Sequence, residues 1–596
     1  MKNWLIRAGR WGLFLSAGLL TIGYLASGLN QHPAIPLTVD GEVRNVSAVP
    51  PASDRGPQRL APDRGAADIE RTGNASESGA RQSAEPAAAT TGRIAQVVAD
   101  LDAEFERHWQ REGLEVAPVA DWLTICRRIS MALVGSGMSL EEIRYLESLP
   151  EAERVAVHRE RLLADKRFAD YWAERLARTV VGADEGPFLV YRRRRFVTWL
   201  SEQIGGNRPY NEIVRQLISA KGIFTDRPEV NFYTVTMDSG EEGQPDPIRL
   251  AGRTTRAFLA MRIDCLQCHD DFLGNLELGS ASDPRGGTQQ DFHQLAAFYS
   301  DSRFNPLQGI RTEEHPYQYT YLNEAEETTV DPSVPFAPDL LPAEGELTER
   351  LASWVTHPKN RQSARAIANR VWALMFGQPL HAPVDDIPLH GPLPPGLDRL
   401  ADGVLETDWD LRQLVRIISS TRAFQLESRA PFEVTVEHEQ AWAVFPLIRL
   451  RPKQVARAVV QASRLTTIDD SAAFILQLLA FGNENDFVTR YGDTGEDEFD
   501  QENVTITQRL LMMNGKLVRE RTEQNPVLNA SSHINMFAPD DATVVDTIYL
   551  AVLNRHPTAS QQTHFIERMQ AADTRQQAIE DLYWVLLNSS EMAWNH

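Results

Sequence analysis

The segment Cys265-x-x-Cys268-His269 places two thiols three positions apart, with an imidazole directly after them. Thiols at this spacing can each add across one vinyl group of a haem, and the histidine that follows can bind the iron from the proximal side. The whole chain has only three cysteines and 14 histidines, so chance is a poor explanation of the pattern. The spacing therefore predicts covalent attachment of haem c through Cys265, Cys268 and His269.

Two other chemistries remain open for the same residues. In an oxidising compartment, Cys265 and Cys268 could form a disulfide that closes a loop. They could also bind a metal ion together with a distant histidine, such as His293 or His315. Zinc is disfavoured because the sequence has no second Cys-x-x-Cys pair.

The second axial position of such an iron has several candidate ligands. Met237 and Met261 precede the motif, and His293 and His315 follow it. His293 lies in a helical segment, DFHQLAAFYS, close after the cysteines in the chain. We expect His293 to be the nearest candidate, so that His269 and His293 are the predicted metal ligands.

Two weaker groupings of charged residues also stand out. The run of four arginines at 192–195 could pair with haem propionates or an acidic partner, although such runs are more often solvated helix faces. Asp385 and Asp386 lie between prolines and could serve acid–base chemistry or cation binding, but a turn or a helix cap is the commoner role. The common hydrolase and nucleotide-binding motifs are absent from the sequence, which leaves open whether the protein is an enzyme.

The N-terminal part of the sequence predicts that the protein is directed to a membrane. A basic flank precedes an uncharged, mostly apolar run at residues 11–27, which predicts a signal anchor or transmembrane helix over residues 1–30. Small residues at 26–28 leave cleavage by a signal peptidase open. The positive flank stays in the cytoplasm, so we expect a single-pass protein of a bacterial inner membrane with its folded part in the periplasm. Residues 31–93 are rich in Pro, Ala, Ser and Gly, which predicts a disordered linker.

Helical periodicity dominates the rest of the sequence. It predicts a helical domain over residues 94–310, which carries the Cys-x-x-Cys-His motif, and a second one over 346–596. Residues 311–345 alternate aromatic or β-branched residues with polar ones and then become rich in proline, which predicts a connecting hairpin. The predicted fold class is mainly α, with two helical lobes and a short β-hairpin between them. Ser139 followed by Glu142 predicts a capping box.

Composition limits the classes of partner. Of the 596 residues, 42% are hydrophobic and 24% are charged, which is typical of a globular protein rather than a polytopic membrane protein. The formal net charge of −22 would repel a phosphate backbone. We therefore expect no nucleic-acid partner.

Further motifs accompany the cysteine pair. Asp270 directly follows His269, and the later motif residues are Thr288, Gln289, Asp291 and Phe292, then residues 295–298 (Leu-Ala-Ala-Phe), and finally Asn369, Arg370 and Trp372. With these motifs, the sequence from about residue 118 to the end resembles planctomycete-type cytochrome c-associated proteins built from domain-of-unknown-function families 1549 and 1553.

The resemblance implies an exported or membrane-tethered bacterial protein with a cytochrome-like motif. The family usually has His-Asp-His after the second cysteine, whereas this chain has His269-Asp270-Asp271. A second histidine is thus replaced by Asp271, and any role of that histidine in relatives is altered here.

These observations predict a membrane-tethered periplasmic c-type cytochrome-like protein that exchanges electrons with a redox partner protein. We expect the haem to lie between the lobes, where helices would bury the macrocycle. Two alternatives stay open. The first is a non-haem interaction or scaffold protein in which Cys265 and Cys268 form a disulfide or metal site, and the second is an enzyme of unknown substrate.

Overall fold

The computed structural model describes residues 87–596, with gaps at 184–185, 188, 238–242, 323, 470–471, 473–486, 493–498, 500–505, 524 and 526–528. The predicted anchor at residues 1–30 and most of the predicted linker lie outside the described residues. Within the described ranges, no helix combines the length and the apolar character that a membrane crossing requires.

Helices form the first part of the described chain. In chain order they are α1 Ala87–Glu112, α2 Trp122–Leu133, α3 Leu140–Glu147, α4 Glu151–Ala164, α5 Lys166–Val181, α6 Arg193–Gly205 and α7 Tyr210–Ile218. Helix α1 begins before the predicted start of ordered sequence at residue 94. The predicted capping box is confirmed, because the Ser139 hydroxyl accepts from the Glu142 N–H and the Glu142 carboxylate accepts from the Ser139 N–H.

Short hairpins surround the cysteine motif. The elements here are α8 Asn231–Thr234, α9 Pro247–Leu259, β1 Glu277–Ser280, β2 Asp283–Gly286, α10 Gln289–Ala296, β3 Ser302–Asn305, β4 Gly309–Thr312, β5 Gln318–Tyr319 and β6 Thr328–Thr329. Strand β5 pairs antiparallel with β6, within the segment 311–345 for which the sequence predicted a connecting hairpin. The antiparallel pairs β1–β2 and β3–β4 were not predicted. All four residues of β2 are exposed, so its sequence carries no apolar alternation.

The C-terminal part of the chain is again helical. It contains α11 Leu347–Val355, α12 Arg361–Phe376, α13 Leu397–Glu406, α14 Leu411–Ser420, α15 Arg422–Gln425, α16 Val436–Gln440, β7 Ile448–Arg449, α17 Pro452–Ala462, α18 Ile506–Asn514, α19 Lys516–Thr522, α20 Ala530–Phe537, α21 Asp541–Leu553, α22 Ala559–Ala571, α23 Arg575–Leu587, α24 Ser590–Ala593 and β8 Trp594–Asn595. Strand β7 pairs with β8, so the last residues return to the middle of the chain. The mainly helical class is confirmed.

The buried apolar residues form two clusters that do not follow the predicted lobes. The first cluster draws on residues 97–445, and the second combines residues 123–146 with residues 450–592. Helix α2 contributes to both, with Ile129 in the first and Cys126 in the second. Each cluster draws on residues from both sides of the predicted boundary at residue 346, because α2 packs against α12 and also contributes to the second cluster. A helix that is buried on every side cannot serve as the outer surface of one lobe.

Candidate functional site

The cysteine motif forms a turn on the surface of the protein. Helix α9 ends at Leu259, the next residue, Ala260, has a left-handed backbone (φ 48°), and a 3₁₀ turn follows at Asp264–Gln267. Cys265 and Cys268 are exposed free thiols, whereas Leu266 between them is fully buried. The N–H of Cys268 donates to the Cys265 carbonyl oxygen over 3.3 Å. The buried leucine anchors the turn and leaves both sulfur atoms accessible.

His269 is positioned to act as a ligand. Its side chain is exposed, and Nδ1 lies 2.7 Å from the backbone carbonyl oxygen of Asp270. A carbonyl oxygen can only accept, so Nδ1 carries a proton, and in the neutral ring Nε2 then has the lone pair. Ligating histidines commonly have this hydrogen bond, which fixes the tautomer and the ring. Two accessible thiols and an imidazole with this tautomer fit the chemistry of covalent haem attachment.

The backbone carbonyl of Gln267 holds the turn to the protein interior. It accepts from His293 Nε2 over 3.0 Å, from Gln289 Nε2 over 3.1 Å and from the Tyr319 hydroxyl over 3.0 Å. Gln289 and His293 belong to α10, and Tyr319 belongs to the predicted hairpin. Three donors on one carbonyl oxygen fix the backbone between the two cysteines.

His293 lies on the inner side of this turn. It is fully buried, its ring stacks on Tyr319 with 3.4 Å between centroids, and Nδ1 lies 2.9 Å from the Tyr317 hydroxyl. Burial lowers the pKa of His293, and the hydrogen bond to Gln267 opposes that shift. Iron binding by His293 stays a prediction, and it would require one of these two hydrogen bonds to break.

Asp270 and Asp271 organise the backbone that follows the motif. The Asp270 carboxylate accepts from the N–H of Gln289 over 2.7 Å, and Asp271 accepts from the N–H of Leu276 over 2.7 Å and that of Leu273 over 3.3 Å. The backbone hydrogen bond from Leu276, with weaker ones beside it, lowers the pKa of Asp271. Asp271 therefore closes the loop after His269. It stands at the position where the family that the sequence resembles usually has a second histidine.

The start of α10 is capped by a small polar network. Thr288 and Asp291 form a capping box, and Arg285 donates to the two oxygens of Asp291 over 2.7 Å and 2.6 Å. Burial acts to raise the pKa of Asp291, but the hydrogen bonds from Arg285 and Thr288 outweigh it and hold the pKa below its usual value. This network sets the orientation of α10, which carries both Gln289 and His293.

Two family models match parts of the chain. Residues 100–303 match the model of a protein of unknown function, DUF1549, and residues 348–478 match that of another, DUF1553. The chain therefore contains one segment similar to each of these two families. The DUF1549 match contains the cysteine turn and the whole of α10. No curated protein and no solved structure matches the chain.

The other candidate ligands lie elsewhere in or beside the DUF1549 domain. Met261 is fully buried in the first apolar cluster, and Met237 is 8% exposed. His315 is exposed, and its backbone N–H donates to the Asp301 carboxylate over 2.9 Å. Among the described residues, no group of three or more His, Cys, Asp or Glu side chains is placed to bind a metal ion.

The run of four arginines is only partly a solvated face. Arg193 donates through both terminal nitrogens to Glu174, at 3.0 Å for each contact, while Arg194 and Arg195 are exposed. Burial acts to raise the pKa of Glu174, but Arg193 and other cations outweigh it and hold the pKa at about 2. Arg193 is therefore committed to an ion pair inside the DUF1549 domain.

The polar residues of the DUF1553 domain have structural contacts. Asn369 donates to the His381 carbonyl oxygen over 2.8 Å and accepts from its N–H over 3.0 Å, which fixes the loop after α12. Asp385 accepts from Arg262 over 2.7 Å. The Asp386 N–H donates to the Pro383 carbonyl oxygen, so Asp385 and Asp386 lie in a turn. A turn is the commoner role for two aspartates between prolines.

The sequence did not point to the inner support of the cysteine turn. Tyr317, Tyr319 and Gln267 contribute through a stacked ring, hydroxyl groups and a backbone carbonyl. The alternating tyrosines of the hairpin are the signal that could have located this support, because alternate residues of a strand face the same side.

Proposed function

We propose that the protein carries one haem c, attached covalently at Cys265 and Cys268, and that it transfers electrons at the surface where this turn lies. The observation that supports the proposal most is the contact of His269 Nδ1 with the Asp270 carbonyl oxygen at 2.7 Å, which in the neutral ring leaves the lone pair on Nε2 for a metal. The two neighbouring thiols are exposed and free.

The bound group would supply a one-electron redox couple. Cys265 and Cys268 would hold it, and His269 would bind from the proximal side. Phe272 and Leu273, which are 76% and 85% exposed, offer apolar surface directly after His269. Their position favours a haem edge near the protein surface, in contrast to the expected burial between lobes. An accessible edge suits electron exchange with a partner protein.

The proposed location is the outer face of a bacterial inner membrane. The basic flank and the apolar run at residues 11–27 support a single-pass anchor, and the composition of the segment after it supports a tether. Covalent haem attachment in bacteria takes place on the outer side of the inner membrane, so the proposed location is consistent with the proposed haem.

The test is haem content in the full chain, produced in a host that has the machinery for haem attachment. The pyridine haemochrome of the wild type should report one thioether-bound haem, which should be absent from the Cys265→Ala, Cys268→Ala double variant. The matched control is Cys126→Ala, because Cys126 is a fully buried thiol outside the motif. This control should keep its haem. A haem-free wild type from such a host would contradict the proposal.

A second candidate is an interaction protein in which the two cysteines form a disulfide. The exposure of both thiols on one short turn favours this candidate. Alkylation of the purified wild type before and after reduction separates the two. Thiols that react only after reduction indicate the disulfide, while thiols that react in neither state indicate thioether bonds.

A further inference from the structure

Two arginines beside the second apolar cluster, Arg464 and Arg521, have no ion-pair partner among the described residues. Only 6% of Arg521 is exposed, and Arg464 is partly buried. Within the described part of the chain, neither side chain forms a hydrogen bond or an ion pair, and the Nε atom of each is buried without an acceptor. Buried charges in proteins are almost always paired, so these two side chains indicate that an anion is missing.

The two guanidinium groups are close enough to repel each other. Arg464 follows α17 and Arg521 lies in α19, and these two helices pack against each other. Burial lowers the pKa of Arg464 to about 10, and the charge of Arg521 adds to that shift. Burial also lowers the pKa of Arg521, and the charge of Glu520 opposes this shift without cancelling it. A negative group between the two arginines would relieve the repulsion and the cost of burial.

The N-terminus of α20 is attached to both segments that carry these arginines. The first N–H of α20 donates to the Ser463 carbonyl oxygen over 2.8 Å, and Ser463 directly precedes Arg464. Asn529, which precedes α20, donates from its side-chain nitrogen to the Glu520 carbonyl oxygen over 2.8 Å, and Glu520 directly precedes Arg521. These two hydrogen bonds fix the start of α20 beside the arginine pair.

The start of α20 also has hydrogen-bond donors that the described residues leave unused. Asn529 makes no side-chain hydrogen bond to the first turn of α20, so this turn lacks the usual side-chain cap. The hydroxyl of Ser531 is buried, with 1% of the residue exposed, and it has no partner. The N-terminus of a helix, a buried hydroxyl and two unpaired guanidinium groups together suit an oxyanion.

One acceptor accompanies these donors. The side-chain oxygen of Asn529 is buried and has no partner, while the nitrogen of the same amide donates to two backbone carbonyl oxygens, which fixes the orientation of the amide. A buried acceptor of this kind is costly unless it receives a hydrogen bond. Phosphate keeps a hydroxyl group at neutral pH, whereas sulfate has none. The acceptor therefore favours phosphate over sulfate.

We infer that inorganic phosphate binds at the N-terminus of α20, between the guanidinium groups of Arg464 and Arg521. The Ser531 hydroxyl donates to the anion, and the Asn529 side-chain oxygen accepts from the hydroxyl group of the phosphate. Arg464 is the more exposed of the two arginines and gives the site its access to solvent. The site is separate from the cysteine turn and does not depend on the proposed haem.

The test is titration calorimetry of the full chain with sodium phosphate at low ionic strength. Saturable one-to-one binding is expected, and sodium sulfate should bind several-fold more weakly. Arg521→Met removes a charged donor and should weaken phosphate binding on the order of tenfold. Without phosphate, the same variant should be at least as stable to urea as the wild type, because an apolar side chain replaces an unpaired buried charge. A purely structural role of Arg521 predicts a loss of stability instead.

Two further variants make the test selective. Ser531→Ala removes a hydroxyl that has no partner in the protein, so the variant should fold and bind phosphate several-fold more weakly. The matched control is Arg519→Met, which removes the same charge from an exposed residue of α19 that pairs with Glu523, and it should leave the affinity unchanged. The proposal is overturned if phosphate does not bind saturably, if sulfate binds as tightly, or if Arg521→Met binds phosphate like the wild type.

Discussion

His293 donates from Nε2 to the backbone carbonyl oxygen of Gln267, 3.0 Å away, and so connects the buried side of α10 to the centre of the cysteine turn. Nδ1 lies 2.9 Å from the Tyr317 hydroxyl, which can donate to it. A neutral imidazole donates from one nitrogen and accepts at the other, so both ring nitrogens are satisfied. In this geometry His293 is a positioning residue for the turn.

Replacing His293 should loosen the turn. His293→Ala removes the donor to Gln267 and leaves a cavity, so we expect the free energy of unfolding to fall by about 2–4 kcal/mol. Amide hydrogen exchange at residues 265–268 should accelerate. Tyr317→Phe is the milder comparison, because it removes one hydroxyl and should cost about 1–2 kcal/mol. If His293→Ala changes the haem from low to high spin with stability and exchange intact, His293 is an iron ligand instead.

Gly287 and Gly286 form a matched pair beside the turn. A Cβ at Gly287 would lie 2.7 Å from Leu266 Cδ1, whereas one at Gly286 would meet nothing closer than the Asp271 carbonyl oxygen at 3.8 Å. Gly287→Ala should therefore cost about 1–3 kcal/mol of stability through overpacking, while Gly286→Ala should change it by less than about 0.5 kcal/mol. Urea unfolding of both variants tests this. Equal effects would show that Leu266 is not held tightly.

The Arg285–Asp291 pair should shape the acid sensitivity of the protein. The pKa of Asp291 is lower in the folded state than its ordinary value of 3.8, so its contribution to stability is complete above that value. It is lost as the pH falls through the folded pKa. Asp291→Asn should lower stability near neutral pH and flatten the decline in acid, as followed by the urea midpoint between about pH 2 and pH 6.

Arg285→Gln serves as the companion variant for that titration. Without the guanidinium, the pKa of Asp291 should rise, and the decline in stability should move to higher pH. Acid profiles that coincide in the wild type and both variants would show that this pair does not control the start of α10.

Arg128 lies in the DUF1549 match and joins it to the DUF1553 match and to His596, which lies beyond both matches. It is fully buried, and it donates to the backbone oxygens of Phe424 at 3.0 Å, Leu426 at 2.6 Å and His596 at 2.9 Å. A lysine cannot satisfy three acceptors in a planar arrangement, so Arg128→Lys should cost about 3 kcal/mol or more.

Arg422→Lys is the control for that substitution, since Arg422 forms an exposed pair with Glu106. It should change the free energy of unfolding by no more than about 1 kcal/mol. A similar loss in both variants would contradict the special role of Arg128, and urea unfolding is the measurement for both.

Local signals were readable from the sequence alone. The spacing of Cys265, Cys268 and His269 favours haem attachment without any tertiary information, and this stays a prediction. The capping box at Ser139 and the hairpin at residues 318–329 likewise depend on neighbours within a few positions or on simple alternation. These elements appear in the structure as predicted because their stabilising contacts are close in sequence.

The long-range arrangement could not be read in the same way. Gln267 and Tyr319 meet through a hydrogen bond that spans 52 positions. Arg370 reaches Thr179 across 191 positions. Such pairs depend on how helices pack, and the division of the apolar core depends on α2 being buried on both sides. Periodicity reports that a helix has a buried face, but it does not identify the neighbour that covers it.

The most direct test of haem attachment is the mass of the tryptic peptide that spans residues 263–285, which contains both Cys265 and Cys268 and no internal cleavage site. The protein should be the wild type, purified from a host with the haem-attachment machinery. The account predicts a peptide heavier than its amino-acid sequence by the mass of one haem, and resistant to reduction and alkylation. A peptide of unmodified mass, with both thiols open to alkylation or joined as a disulfide, would contradict it.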